Sequence, residues 1–157
     1  MTFLALLVLA LAAATPAPAA VPVLSVSGAF FALSVPDARK SASWYGEKLG
    51  LTVVMDPPKH GKSKVIVLEG GGLIVELIQE DDAVPLGATA PGARSPMQVH
   101  GIAKAGVIVS DFEATLAALR QKKVEIAYGP YPAGKGQRAN CIIRDGDGNL
   151  IQLSGRS

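Results

Sequence analysis

Leu68-Glu69-Gly70-Gly71-Gly72-Leu73-Ile74-Val75-Glu76-Leu77 and Arg144-Asp145-Gly146-Asp147-Gly148-Asn149-Leu150-Ile151-Gln152-Leu153 say nearly the same thing twice. Each is a glycine-rich turn that runs into a short apolar strand. A second match opens each copy: Phe30-Phe31-Ala32-Leu33-Ser34-Val35-Pro36-Asp37 and Lys104-Ala105-Gly106-Val107-Ile108-Val109-Ser110-Asp111 are apolar runs closed by an aspartate. Pro57 and Pro130 fall at equivalent points between them. Landmarks repeated in the same order settle the architecture before any single motif does. With two copies only, the expected product is one pseudo-symmetric domain with a groove between its halves, not a solenoid.

Working outward, each copy reads βαβββ. In the first, a strand is predicted at 29–35, and Asp37 is placed to accept hydrogen bonds from the free amides of the next turn. Ala38, Ala42, Tyr45 and Leu49 then recur on one helical face, and Gly50 suits the left-handed residue that ends a helix. Strands follow at 51–55, 64–68 and 73–79. In the second copy the strand is expected at 102–109, Asp111 is the cap, and Phe112, Leu116, Leu119 and Lys123 mark the helical face. Strands at 124–128, 138–144 and 149–154 complete it. Between the copies, the Ala-, Pro- and Gly-rich stretch 81–99 carries no periodicity and reads as a linker. Unit one is thus about 28–80 and unit two about 100–155.

The 157 residues make one domain by length. The first 20 contain no charged side chain; an apolar run from Phe3 to Ala14 precedes Thr15-Pro16-Ala17-Pro18-Ala19-Ala20. An apolar segment followed by small residues reads as a secretory signal peptide spanning 1–20, too short for a comfortable membrane span. Residues 21–157 would be the mature domain, periplasmic or secreted. No cysteine stands directly after the leader, so lipid anchoring by that route is not indicated. The one cysteine, Cys141, lies within a strand pattern and reads as a small buried hydrophobe. The formal charge is +2 and aromatics are 5%, which gives nucleic-acid binding neither a basic stripe nor stacking platforms.

Leu33-Ser34-Val35-Pro36-Asp37 with Trp44-Tyr45-Gly46-Glu47-Lys48-Leu49-Gly50-Leu51, together with Val107-Ile108-Val109-Ser110-Asp111 and the 144–153 stretch, resembles the vicinal oxygen chelate superfamily of glyoxalase I, extradiol dioxygenases and bleomycin-resistance proteins. Gly146 stands where that family's Asp-Pro-Asp-Gly-Asn ending has proline. The resemblance implies an α+β fold of two tandem βαβββ units whose curled mixed sheets surround a shared cleft. It implies a divalent metal held by one residue from the first and one from the fourth strand of each unit. The aligned positions are Phe30, Glu76, Lys104 and Gln152.

Alternation of strand side chains puts Phe31, Leu33, Val35, Leu73, Val75 and Leu77 on a helix-packed face. It leaves Phe30, Ala32, Ser34, Ile74, Glu76 and Ile78 facing the cleft. In the second unit Lys104, Gly106, Ile108, Leu150, Gln152 and Ser154 face it. Phe30 cannot ligate, and Lys104 is a cation with no acceptor. Glu76 and Gln152 alone fall short of the three or more donors a transition metal wants. No resident cofactor is therefore expected, with a divalent metal kept as the alternative.

Three functions stay open. The first is a metal-free protein that binds a small organic molecule in a cleft walled by Phe30, Ala32, Ile74, Glu76, Lys104, Ile108, Leu150 and Gln152. The second is a glyoxalase-type lyase or isomerase, dependent on metal or using an ion-paired Lys104 and Glu76 as catalytic groups. The third is an interaction protein with a plugged cleft. His60 reads as a loop residue. His100, roughly 13 Å along an extended strand from Lys104, is too far to join the quartet. Partners are a small ligand and a second copy, with neither nucleic acid nor, after leader removal, a membrane.

Overall fold

The computed structural model describes residues 28, 30–134 and 136–156; the expected leader and its cleavage point lie outside the described residues. The order is β1 (Phe30–Ser34), α1 (Ala38–Leu49), β2 (Thr52–Met55), β3 (Ser63–Gly70), β4 (Leu73–Glu80), the single-turn α2 (Leu86–Thr89), a 3-10 turn (Pro96–Gln98), β5 (Ala105–Val109), α3 (Phe112–Gln121), β6 (Glu125–Tyr131), β7 (Asn140–Arg144) and β8 (Leu150–Gly155). Two four-stranded sheets form, β1-β4-β3-β2 and β5-β8-β7-β6. In each, the first strand runs parallel to the fourth and the others are antiparallel. The fold is the tandem βαβββ pattern of the repeat.

The caps act as their chemistry dictates. The Asp37 carboxylate accepts from the amides of Arg39 and Lys40, both at 3.0 Å. Asp111 accepts from the Ala114 amide at 2.9 Å. Gly50 closes α1 at φ 74°, a left-handed conformation glycine adopts without steric cost. Val35, Ala38, Ala42, Tyr45, Ile66, Leu68, Val75 and Leu77 are buried together with Phe112, Leu116, Leu119, Val124, Cys141, Ile143, Ile151 and Leu153 in one continuous cluster. The helix-backed sides of the two sheets thus merge into one core. Among the described residues no helix is long and apolar enough to cross a membrane.

Some expected bounds need correction, β7 among them, which begins at Asn140 and not at 138. β5 begins at Ala105, not at 102: its parallel pairing with β8 starts at Ala105–Ile151, and β8 reaches back only one residue further, to Leu150. Ile102 is consequently 93% exposed, and Lys104 falls just before the strand. The α3 face stops at Leu119; Lys123 lies past the helix end, exposed, at φ 55°, where the chain reverses to bury Val124. Within the 81–99 linker lie two short turns, α2 and the 3-10 turn.

Candidate functional site

The pairing register decides which side chains share the unhelical face of each sheet, because directly paired residues point the same way. In unit one the central row is Met55, Val67, Glu76 and Ala32. In unit two the equivalent row is Tyr128, Ile142, Gln152 and Gly106. One step along lies a second pair of rows. Thr52, Glu69, Ile74 and Phe30 match Glu125, Arg144 and Leu150, followed by Lys104 just ahead of β5. The predicted cleft residues therefore do share a face within each unit. Glu76 is level with Ala32 and Gln152 with Gly106, so Phe30 and Lys104 stand one same-face step away from the two polar side chains.

The faces are open. Phe30 is 65% exposed and Ile108 61%, and Ile74 is also exposed; Glu76 and Gln152 are half-buried. Leu150, Ile142 and Asn140 are buried on the unit-two face, where Gln152 Nε2 donates to the side-chain oxygen Asn140 Oδ1 at 3.1 Å. A cavity of about 800 Å³ opens on the unit-one face, lined by Phe30, Val54, Glu69, Leu73 and Ile74 with three glycines. All its walls come from unit one.

Glu76 lies on β4 of unit one and Lys104 just ahead of β5 of unit two, and among the described residues no ion pair joins them. The expected pairing is thus not formed within one chain. Its physical reason is visible in the joint between the units, which lies on the side away from the open faces. Helix α1 makes this joint. Tyr45 Oη donates to Asp145 Oδ2 at 2.8 Å, and Ser41 Oγ donates to Asp147 at 2.6 Å. Lys48 Nζ donates to the Lys122 carbonyl at 3.0 Å, and Lys122 Nζ returns a bond to the Glu47 carbonyl.

Asp145 is buried and accepts three further bonds, from the Asp147 amide, the Asn149 amide and Asn149 Nδ2. Burial, and then the neighbouring Asp145 charge, push the Tyr45 phenol far above its ordinary pKa. Trp44 meets the Tyr45 ring edge-on at 5.0 Å and lies against Gly146, where a Cβ would come within 3.0 Å of the indole. This contact gives a physical reason for glycine at the position where the resembled pattern has proline.

The quartet Phe30, Glu76, Lys104 and Gln152 does not fit a divalent metal. Its chemistry is one carboxylate, one amide, one hydrocarbon and one ammonium. His60 is exposed in the β2–β3 hairpin, bridged to Ser63, and His100 is exposed ahead of β5. Met55, Val67, Glu69, Tyr128, Tyr131, Asn140 and Ile142 also belong to the faces, and sequence reasoning missed them. The two-residue turn Gly71-Gly72 pairs Gly70 with Leu73 and could have given Glu69 and Val67 by counting. Irregular registers in β6, between Ile126 and Tyr128 and again between Tyr128 and Tyr131, hide the tyrosines from counting.

Residues 29–153 match the model of the Glyoxalase/Bleomycin resistance protein/Dioxygenase superfamily. Among solved structures, a glyoxylase/bleomycin resistance protein/dioxygenase domain from Frankia sp. EAN1pec superposes with a TM-score of 0.65 at 17% identity, covering 85% of this chain and 94% of that one. A glyoxalase family protein from Bacillus cereus gives 0.61 at 16% identity, covering 87% and 98%. TnmS3, an antibiotic binding protein from Streptomyces sp. CB03234, gives 0.57 at 22% identity, covering 85% and 99%. No curated protein sequence matches the chain. With the repeat, the two mixed sheets and the family match in agreement, the chain belongs to the glyoxalase/bleomycin resistance protein/dioxygenase superfamily.

Proposed function

We propose that this protein binds a small organic molecule on its open sheet faces without a metal, as a homodimer outside the cytoplasm. The observation that carries the reading is the composition of the two central rows. Met55, Val67, Ala32, Tyr128, Ile142 and Gly106 surround one carboxylate, Glu76, and one amide, Gln152. Apolar and aromatic walls with few polar groups are what small-molecule sites are built from, and the same rows lack a metal's donor set. The antibiotic-binding role of TnmS3, a protein of the same fold, supports the ligand class. Exposed Phe30, Ile74 and Ile108 support the dimer. A two-fold axis would set the unit-one face of each copy against the unit-two face of the other, making two equal clefts. Export rests on the charge-free apolar segment and small-residue ending of residues 1–20.

The neutral dye Nile red tests this reading. Saturable binding is expected, unchanged by EDTA and lost in Ile74→Glu and Ile108→Glu, with sedimentation showing a dimer. Binding that neither variant alters would count against the cleft, and binding that EDTA removes would count against metal independence.

A further inference from the structure

By the pairing register the unit-one face carries Glu69, Glu76 and, at its far end and bonded by Ser63, Glu80, and among the described residues no cation. Glu69 and Glu76 are diagonal neighbours across β3 and β4, on strand positions about 7–8 Å apart. Among the described residues neither has an ion-pair partner, although the acids Asp56, Asp81 and Asp82 all do. The unit-two face differs: Arg144 is engaged by Glu125 at 2.9 Å, and Lys104 has no ion pair among the described residues. Glu69 and Glu76 thus put two negatives beside an exposed apolar strip, and the single Lys104 that a facing unit-two face brings in the proposed dimer would leave the cleft net negative.

That strip has a direction. Phe30 pairs with Ile74 and Ile74 with Glu69, so the three side chains form one row across β1, β4 and β3. At ~4.8 Å per strand, Glu69 lies about 10 Å from Phe30. All three line the 800 Å³ cavity, and Val54 and Leu73 add apolar atoms to its wall. A flat hydrocarbon body laid over Phe30 and Ile74 would bring its far end to the carboxylate.

We infer that the ligand of this face is an elongated aromatic or apolar molecule bearing a cationic nitrogen at one end. This rests on the small-molecule reading of the cleft and names the chemistry it selects. Phe30 and Ile74 hold the apolar body. Glu69 receives the cation, and Glu76 reinforces it from the adjacent row. Exposed charge pairs are individually weak, so each carboxylate contributes ~threefold and the two together ~tenfold in affinity at low salt.

Equilibrium dialysis of the full chain against three isosteric probes tests the inference: 4-(aminomethyl)biphenyl, biphenyl-4-methanol and biphenyl-4-carboxylate. The amine is expected to bind ~tenfold more tightly than the alcohol, and the carboxylate most weakly. Glu69→Gln should remove ~threefold of the amine's advantage over the alcohol and Glu69→Gln/Glu76→Gln all of it. Raised salt should erase the difference in the same way. Equal binding of the three probes, or a preference that survives the double substitution, overturns the inference while leaving the cleft reading intact. Failure of all three to bind overturns both.

Discussion

Replacing Tyr45 with Phe removes one oxygen from the joint between the two units and leaves the ring in place. The hydroxyl is wholly buried and donates to Asp145 Oδ2 at 2.8 Å. Asp145 would keep three donors, the amides of Asp147 and Asn149 and the Asn149 side chain. Its charge would thus stay solvated by the protein, and the loss is that of one hydrogen bond to a buried charged group. Such a bond is worth ~1.5–3 kcal/mol. With the remaining donors in place, about 2 kcal/mol is expected from urea denaturation followed by far-UV circular dichroism.

The phenol supplies a second signature. Its folded pKa lies above the free value of 10.0. The neutral form is therefore favoured by folding, and the contribution is complete below pH 10. It is lost above pH 10, once the unfolded tyrosine ionises and the folded one does not. Wild type should lose stability above pH 10 more steeply than Tyr45→Phe. A cost below about 0.5 kcal/mol, the range of ordinary surface substitutions, together with parallel alkaline limbs, would refute the account of the joint.

Other outcomes follow from the same geometry. Gly146→Ala places a Cβ within 3.0 Å of the Trp44 ring, so it should cost about 1–3 kcal/mol by overpacking and shift tryptophan emission. The Asp56 carboxyl is held below the usual carboxylate range, by its bond from Lys64 first and by Arg39 next. Its contribution is present above the unfolded pKa and lost as pH falls through the folded one, so Asp56→Asn should flatten the acid limb of stability. Cys141 is fully buried and its thiol is pushed up by burial. A disulfide reagent should therefore modify it no faster than the chain unfolds, and rapid labelling of the native protein would contradict its place in the core.

The fold was legible because its signals are local and repeated. Asp37, Asp111 and Gly50 each mark a helix end by chemistry confined to one turn, and the alternation at Val75–Leu77 and Ile151–Leu153 marks the buried side of β4 and β8. The site was half legible for the same reason. Alternation placed Phe30, Glu76 and Gln152 on their faces, since only the strand's own period is needed. Lys104 was brought toward Glu76 by a relation between the two units, and that relation depends on α1, whose Tyr45 and Ser41 reach the 145–149 turn one hundred residues away. No local pattern reports such a contact. Glu69 and the tyrosines of β6 were missed because finding them requires the pairing of β3 with β4 and of β6 with β7, the latter interrupted by two register shifts.

The central claim is that the duplicated sheets keep a small-molecule face and hold no metal. Elemental analysis of the purified chain, grown in medium supplied with zinc, nickel, iron and manganese, addresses it most directly when wild type and Glu76→Ala are compared. The account predicts well under one transition metal per chain in both proteins. One equivalent in wild type that disappears in Glu76→Ala would contradict it.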